Sequence, residues 1–270
     1  MIKQSFQYHS ARFIIDLGLV VLFIGPILAL GLYAFSTRWF FPQLLPTEWS
    51  IAPLLRQLSS PYTQAALMNS LISATVVTFL ALLLGLPAAR VLGLSTFPGR
   101  WLVLVVLFLP NVVPALAIGM GLNVLFLQLG LAGSMIGVVL VHLVPVLPYT
   151  IFALQGVFAR YDEGYELQAR TLGASPGRVW LWVSLPLLGP GIAVAALFAF
   201  LVSWSQYVLT LLIGGGRVIT LPMLLFAAVS GGNPSSIAGL ALLFAMPPVI
   251  AIMLTARMLS HGATEIGQQY

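Results

Sequence analysis

Apolar residues fall into six long runs separated by shorter stretches rich in glycine, proline and charge. Each run is long enough for a helix that crosses a bilayer, which takes ~20 residues. The runs predict helices over about residues 13–35, 66–92, 101–127, 133–158, 187–213 and 237–259, within one domain covering residues 1–270. Pro110 and Pro114 lie in the third run, Pro145 and Pro148 in the fourth, Pro190-Gly191 in the fifth and Pro247-Pro248 in the sixth. Proline removes a backbone donor, and lipid tolerates this where neighbouring helices or a water-lined cavity satisfy the freed carbonyls. These positions read either as static kinks or as hinges. Residues 36–64, rich in Trp, Pro, Ser and Gln, read as an exposed loop with amphipathic pieces. Residues 214–235 begin Gly-Gly-Gly-Arg and end Ser-Gly-Gly-Asn-Pro around the apolar piece Ile219–Val229. They predict a short re-entrant or interfacial helix, placed to gate a path or meet a binding protein, or else a lipid-facing loop.

Asp162 to Pro186 is the one long segment polar enough to leave a membrane and patterned enough to fold. Asp162 suits the cap of a first helix, with Glu163 and Glu166 near its positive end and Arg170 near its negative end. Glu166 and Arg170 are spaced as an i,i+4 acid-then-base pair on a solvated face. Gly173 sits where that helix would stop in a left-handed turn. Ser175 as N-cap and Pro176 at the first helical position restart a second helix, to which Val179, Trp180 and Trp182 give apolar bulk. The segment predicts helix, glycine elbow, helix, held between two membrane spans.

Composition agrees with lipid as the solvent: 60% of residues are hydrophobic, 6% are charged and the mean hydropathy is +1.06. The fold class is therefore all-α, a polytopic membrane protein with about six transmembrane helices. The chain lacks cysteine, which removes disulfides, thiolate metal sites and a cysteine nucleophile. No cleavage site of small residues follows the first run, so that run reads as a retained helix. The net charge of +5 comes from dispersed bases and implies no nucleic-acid partner. Asp16, four residues after Arg12, reads as its interfacial partner, with a proton relay as the alternative. In a six-span arrangement Lys3, Arg12, Arg90, Arg100, Arg160, Arg170, Arg178 and Arg257 fall on one side, and Arg38, Arg56 and Arg217 on the other. That asymmetry places both termini and the 159–186 loop in the cytoplasm.

Polar side chains within the spans are few, and such groups face the bundle or a pathway because each needs a partner. Asn69, Asn111, Asn123, His142, Tyr149, Trp204, Gln206 and Tyr207 are the candidates for a translocation path, with helix–helix hydrogen bonding as the alternative for each. Trp204-Ser-Gln-Tyr207 is the densest group and would give a neutral, aromatic wall.

The 162–186 segment resembles the EAA loop of the permease subunits of binding-protein-dependent ABC importers. The family pattern, Glu-Ala-Ala, three residues, Gly-Ala and about ten residues to Leu-Pro, is matched by Ala169, Leu172, Gly173, Ala174, Leu185 and Pro186. The family's Glu and first Ala align with Leu167 and Gln168, and Glu166 lies one place early. The wording Leu109-Pro-Asn-Val-Val-Pro-Ala-Leu-Ala-Ile-Gly119 is similar to a span of the same permeases, and the subgroup serving polyamines, iron and thiamine is resembled weakly. The resemblance implies a cytoplasmic coupling helix, with Glu166, Ala169, Arg170, Leu172, Gly173, Ala174, Ser175 and Pro176 meeting a groove on an ATP-hydrolysing subunit. It further implies two ATPase subunits carrying the ATP and Mg, a second permease subunit, an extracytoplasmic solute-binding protein and a place in the inner or plasma membrane. No cofactor, metal or catalytic residue is expected in this chain.

Other chemistries fit less well. No Gly-x4-Gly-Lys-Ser/Thr cradle, His-Glu-x-x-His motif or intramembrane carboxylate pair is present. An intramembrane serine protease would need Ser134 and His142 as its pair, yet a Gly-x-Ser-Gly setting is missing. A secondary transporter or channel would explain the spans but not the cytoplasmic helix–Gly–helix segment, and no internal repeat is visible.

Overall fold

The computed structural model describes residues 2–39, 43 and 45–267, with the side chains of 2–15, 17, 38 and 261–267 outside that description. Lys3, Arg12 and the pairing of Arg12 with Asp16 fall outside the described side chains. The order is α1 (Ile2–Ala34), a small antiparallel pair β1 (Ser36–Arg38) and β2 (Glu48–Trp49), α2 (Ala52–Ser59), α3 (Pro61–Leu94), α4 (Arg100–Val112), α5 (Ala115–Gln128) and α6 (Met135–Phe158). The short helices α7 (Gly164–Thr171) and α8 (Pro176–Val179) follow, then a π-helical turn (Trp180–Ser184), α9 (Leu185–Trp204), α10 (Val208–Gly214), α11 (Leu221–Gly231) and α12 (Pro234–Gly267).

Among the described residues, four helical runs are long and apolar enough to cross a membrane: Pro61–Leu94, Met135–Phe158, Pro176–Trp204 and Pro234–Ser260. The pair α4 and α5 passes the same test together, and Gly18–Ala34 within α1 is a shorter apolar helix. The described chain is thus an all-α polytopic membrane protein. α11 is also apolar, but its 11 residues are too short to span.

Three expectations about the spans are corrected. The third run does not form one helix over 101–127, because α4 and α5 meet at 94°. Val113 is extended (φ −75°, ψ 135°), the conformation imposed on a residue before proline, and Pro114 then starts α5. The fifth run does not reach 213 unbroken either; α9 stops at Trp204 and α10 begins at Val208. No glycine or proline marks this break, and its cause is tertiary, as the site geometry below makes clear. Finally, the second short helix of the polar segment is continuous with the fifth span: Pro176–Trp204 is one helical run, with the π-helical turn inside it. Pro145, Pro148, Pro190, Pro247 and Pro248 all sit inside helices that continue through them.

Close packing divides the chain into two units, residues 1–64 with 224–246, and 65–223 with 247–270. In the first, the Ser235 hydroxyl donates to the Ser36 carbonyl at 2.8 Å and Tyr33 lies against Trp39 with ring centroids 4.2 Å apart. In the second, α6 is central: 56% of its spanning window is buried, against 28% or less in the other three. Towards its C-terminal end Ile151, Leu154 and Phe158 pack with Ala89 and Leu92 of α3 and with Leu188 and Ala195 of α9. Towards its N-terminal end Val139, Leu143 and Val146 pack with Val77, Ala81 and Ala199. Gly191 of α9 lies directly on Val157, so that a methyl group there would collide with it, which is how α9 comes so near α6.

Candidate functional site

The polar segment folds by local rules first. The Asp162 carboxylate accepts the backbone N–H of Gly164 at 2.8 Å, just ahead of α7, while Glu163 occupies the N-cap position with no side-chain cap of its own. At the other end of α7, Gly173 N–H bonds to the Arg170 carbonyl and Ala174 N–H to the Ala169 carbonyl, the paired bonds of a helix end that needs a left-handed residue. Gly173 supplies it at φ +86°, and a Cβ there would meet nothing within 4 Å. Ser175 stands extended at the N-cap of α8 with Pro176 after it, but the expected hydroxyl cap is not made.

Burial then sorts the segment into two faces. Glu166 is buried, with 6% of its side chain exposed, whereas Leu167 is 61%, Leu172 88% and Trp182 78% exposed. The expected solvated pair of Glu166 with Arg170 is therefore corrected: that contact is 3.7 Å, and the main partner is Arg90 near the end of α3. Arg90 Nη1 donates to Glu166 Oε1 at 2.8 Å and Nη2 to Oε2 at 2.9 Å, a two-point hold that fixes orientation as well as distance. The Ser184 hydroxyl, at the last position of the π-helical turn, donates to Glu166 Oε1 at 2.8 Å. The single proton of the Tyr161 hydroxyl is shared between Glu166 Oε1 at 3.0 Å and Ser184 Oγ at 3.1 Å. Arg90 also lies 3.5 Å from Glu163 and 6.0 Å from the centre of the Trp180 ring.

The Arg90 hydrogen bonds pull the Glu166 carboxyl down to about 2, against burial, with Ser184 and Tyr161 adding to the effect. Burial raises the Tyr161 hydroxyl above its ordinary value and so keeps it a donor. Sequence reasoning missed Arg90, Tyr161 and Ser184. The available signal was Arg90 itself, an arginine inside the expected span 66–92, where an unpaired guanidinium is costly.

Most of the polar residues expected along a path are used to hold interrupted backbone. Asn69 Nδ2 donates to the Ile219 carbonyl at 2.9 Å, and the neighbouring Ser70 hydroxyl accepts the Leu221 N–H at 2.8 Å where α11 begins. Asn123 Nδ2 donates to the Leu212 carbonyl in α10. His142 is fully buried between Ser203 Oγ, 3.0 Å from Nδ1, and Thr210 Oγ1, 2.8 Å from Nε2. Thr210 Oγ1 also lies 2.8 Å from the Gln206 carbonyl in the break. His142 thus clamps the end of α9 to the start of α10 across the break at residues 205–207. Trp204 is buried and stacks on Phe200 with centroids 5.6 Å apart, and Gln206 and Tyr207 lie in the break itself. Asn111 is apart from this group, in the last turn of α4 beside Pro110, and its buried Nδ2 has no hydrogen-bond partner among the described residues. Ser134 caps α6 by accepting the Gly137 N–H, while His142 is bonded elsewhere, so the protease pair is not formed.

Among the described residues no group of three His, Cys, Asp or Glu is placed to hold a metal. A model of the family described as "Binding-protein-dependent transport system inner membrane component" matches residues 81–261. Inner membrane ABC transporter permease protein YnjC of Escherichia coli (strain K12) is 38% identical over 200 residues, which is 73% of this chain and 37% of YnjC. Molybdenum transport system permease protein ModB of Mycobacterium tuberculosis (strain ATCC 25618 / H37Rv) is 35% identical over 186 residues, 64% of this chain and 67% of ModB. The fold also matches the crystal structure of a bacterial ABC transporter involved in the import of the acidic polysaccharide alginate, with a TM-score of 0.73 at 18% identity, over 94% of this chain and 97% of that one. The matched region thus spans little more than a third of the length of YnjC. With more than half of its length matched by the family's model, the chain belongs to the binding-protein-dependent transport system inner membrane components.

Proposed function

We propose that this chain is one membrane half of an ATP-driven importer, and that residues 162–186 form the cytoplasmic loop through which one of two ATPase subunits drives it. The observation that carries this reading is the two-faced loop. Its inner face is locked by the buried Glu166, while its outer face leaves Leu167, Leu172 and Trp182 exposed around the Gly173 elbow. Unpartnered apolar side chains on a rigid polar scaffold are what a docking surface requires. Ala169, Arg170, Ala174, Ser175 and Pro176 complete that surface. ATP and Mg would be held by the partner, and a second permease subunit and a solute-binding protein would complete the machine. Gln206 and Tyr207, in the break after the buried Trp204, are with Asn111 the part of the interior best suited to meet cargo. YnjC, ModB and the alginate transporter are named without a common cargo, and ModB's molybdenum lies outside the polyamine, iron and thiamine expectation.

Leu172→Asp tests the docking role without touching the backbone. Burying a side chain of this size contributes roughly 1.5–3 kcal/mol, and a buried unpaired carboxylate adds a further penalty. The variant should insert normally and hold its ATPase at least ~10-fold more weakly, read as loss of co-purification at stoichiometric concentration. Gly173→Val, which strains the left-handed turn by about 1–3 kcal/mol, should weaken the same association. Undiminished co-purification in both variants would remove the docking assignment.

A further inference from the structure

We infer that the Glu166–Arg90 pair is a positioning joint that makes α3 move with the loop and carries loop displacement to the segment before α11, an inference that rests on the importer reading above. Two of the loop's links to the spans are covalent, through the end of α6 and through the π-helical turn into α9. Its hydrogen-bonded link to α3 is the hold of Arg90 on Glu166, supported by the longer contact of Arg90 with Glu163. One carboxylate thereby gathers a guanidinium from α3, the hydroxyl of Tyr161 beyond α6 and the hydroxyl of Ser184 from the π-helical turn. Such a joint resists rotation as well as separation, because its two arginine bonds are parallel and its carboxylate is shielded from water.

The opposite end of α3 is tied just as specifically. Asn69 holds the Ile219 carbonyl and Ser70 holds the Leu221 N–H. Between Asn69 and Arg90 the helix is unbroken, Pro87 included, over a rise of roughly 30 Å. The 219–221 stretch lies between the end of α10 and the start of α11 and has no covalent neighbour in the loop. A stiff helix pinned by side-chain bonds at both ends acts as a connecting rod between them.

The test uses the whole transporter with its ATPase subunits, and MgATP with orthovanadate as the trapping probe. Ile219→Cys places a unique thiol in this cysteine-free chain and keeps the backbone carbonyl that Asn69 holds. Its reaction rate with a small maleimide should change at least threefold on trapping. Adding Arg90→Gln, which breaks the hold from α3 and lies outside the docking loop, should abolish that change while the ATPase stays bound and still hydrolyses ATP. Arg90→Lys, which keeps the charge but loses the two-point hold, should diminish it, and the exchange Glu166→Arg with Arg90→Glu should restore part of it. Asn69→Ala with Ser70→Ala, at the far end of the rod, should abolish it too. No change on trapping in the parent, or an undiminished change in Arg90→Gln, overturns the inference. Loss of the ATPase from Arg90→Gln also overturns it, because the pair would then only shape the docking surface. The docking assignment on which the inference rests fails separately, through an ATPase that remains bound to both Leu172→Asp and Gly173→Val.

Discussion

A carboxylate with 6% of its side chain in water must either be held charged by its neighbours or give up its charge. Glu166 is held charged, and this makes its contribution to stability depend on pH in a calculable direction. Its folded value is lowered from 4.5 to about 2, so the stabilisation is complete above about 4.5 and is lost as pH falls towards about 2. The shift corresponds to roughly 3 kcal/mol for this well-buried group. Glu166→Gln should therefore be less stable than the parent by a constant margin from pH 7 down to about 5, a margin that shrinks below that and closes near pH 2. Unfolding midpoints of the two proteins in detergent across this range are the measurement, and a margin unchanged at pH 2.5 would show that the carboxylate charge is not what holds the loop. The spacing of Glu166 and Arg170 made them look like a solvated pair. What decides the outcome is which face of α7 turns inward, and an isolated eight-residue helix does not encode that.

Breaks in the helices differ in how openly they are written. At Val113-Pro114 the cause is local, since a residue before proline is driven out of the helical region, and the bend of 94° follows where the neighbouring packing allows it. Pro87, Pro145 and Pro190 show that a proline alone does not decide the matter, because their helices run on. The break at 205–207 has no local cause in Ser-Gln-Tyr; it is held from α6 by His142, 61 residues before Ser203 and 68 before Thr210. Long apolar runs such as 133–158, where α6 occupies Met135–Phe158, are legible because length and hydropathy are local, whereas this break is not. His142→Ala should cost roughly 2–4 kcal/mol, combining two intramembrane hydrogen bonds with a cavity in a packed interior. Asn123→Ala removes one bond to the Leu212 carbonyl and should cost about 1 kcal/mol. Hydrogen exchange separates the two: amides of 205–210 should lose protection in His142→Ala and keep it in Asn123→Ala. Equal loss in both would place the clamp elsewhere.

At the scale of the molecule the question is which way the chain faces, and two independent arguments meet on α3. Counting bases puts eight of eleven on the side of the 159–186 loop and leaves Arg38, Arg56 and Arg217 opposite. Geometry separates the loop from Arg217 without charge. Arg90 binds the loop near one end of α3, and Asn69 binds Ile219 near the other. The intervening rise of roughly 30 Å is the thickness of a hydrocarbon core, so loop and segment 215–221 must lie on opposite faces of the membrane. If the base asymmetry sets the orientation, the loop is cytoplasmic, where ATP is available, and residue 217 is outside. Ser175 and Arg217 are both exposed, and the chain contains no other thiol to confuse a label. Ser175→Cys should react with an impermeant maleimide only in inverted vesicles, and Arg217→Cys only in intact cells. Replacing Arg217 removes one of the three minority bases, so it strengthens rather than weakens the bias that orients the chain. Reversal of both labelling patterns would leave the helices as they are and turn the molecule over, which would put the loop out of reach of any cytoplasmic ATPase. Labelling of both positions from one side would contradict the span assigned to α3 itself.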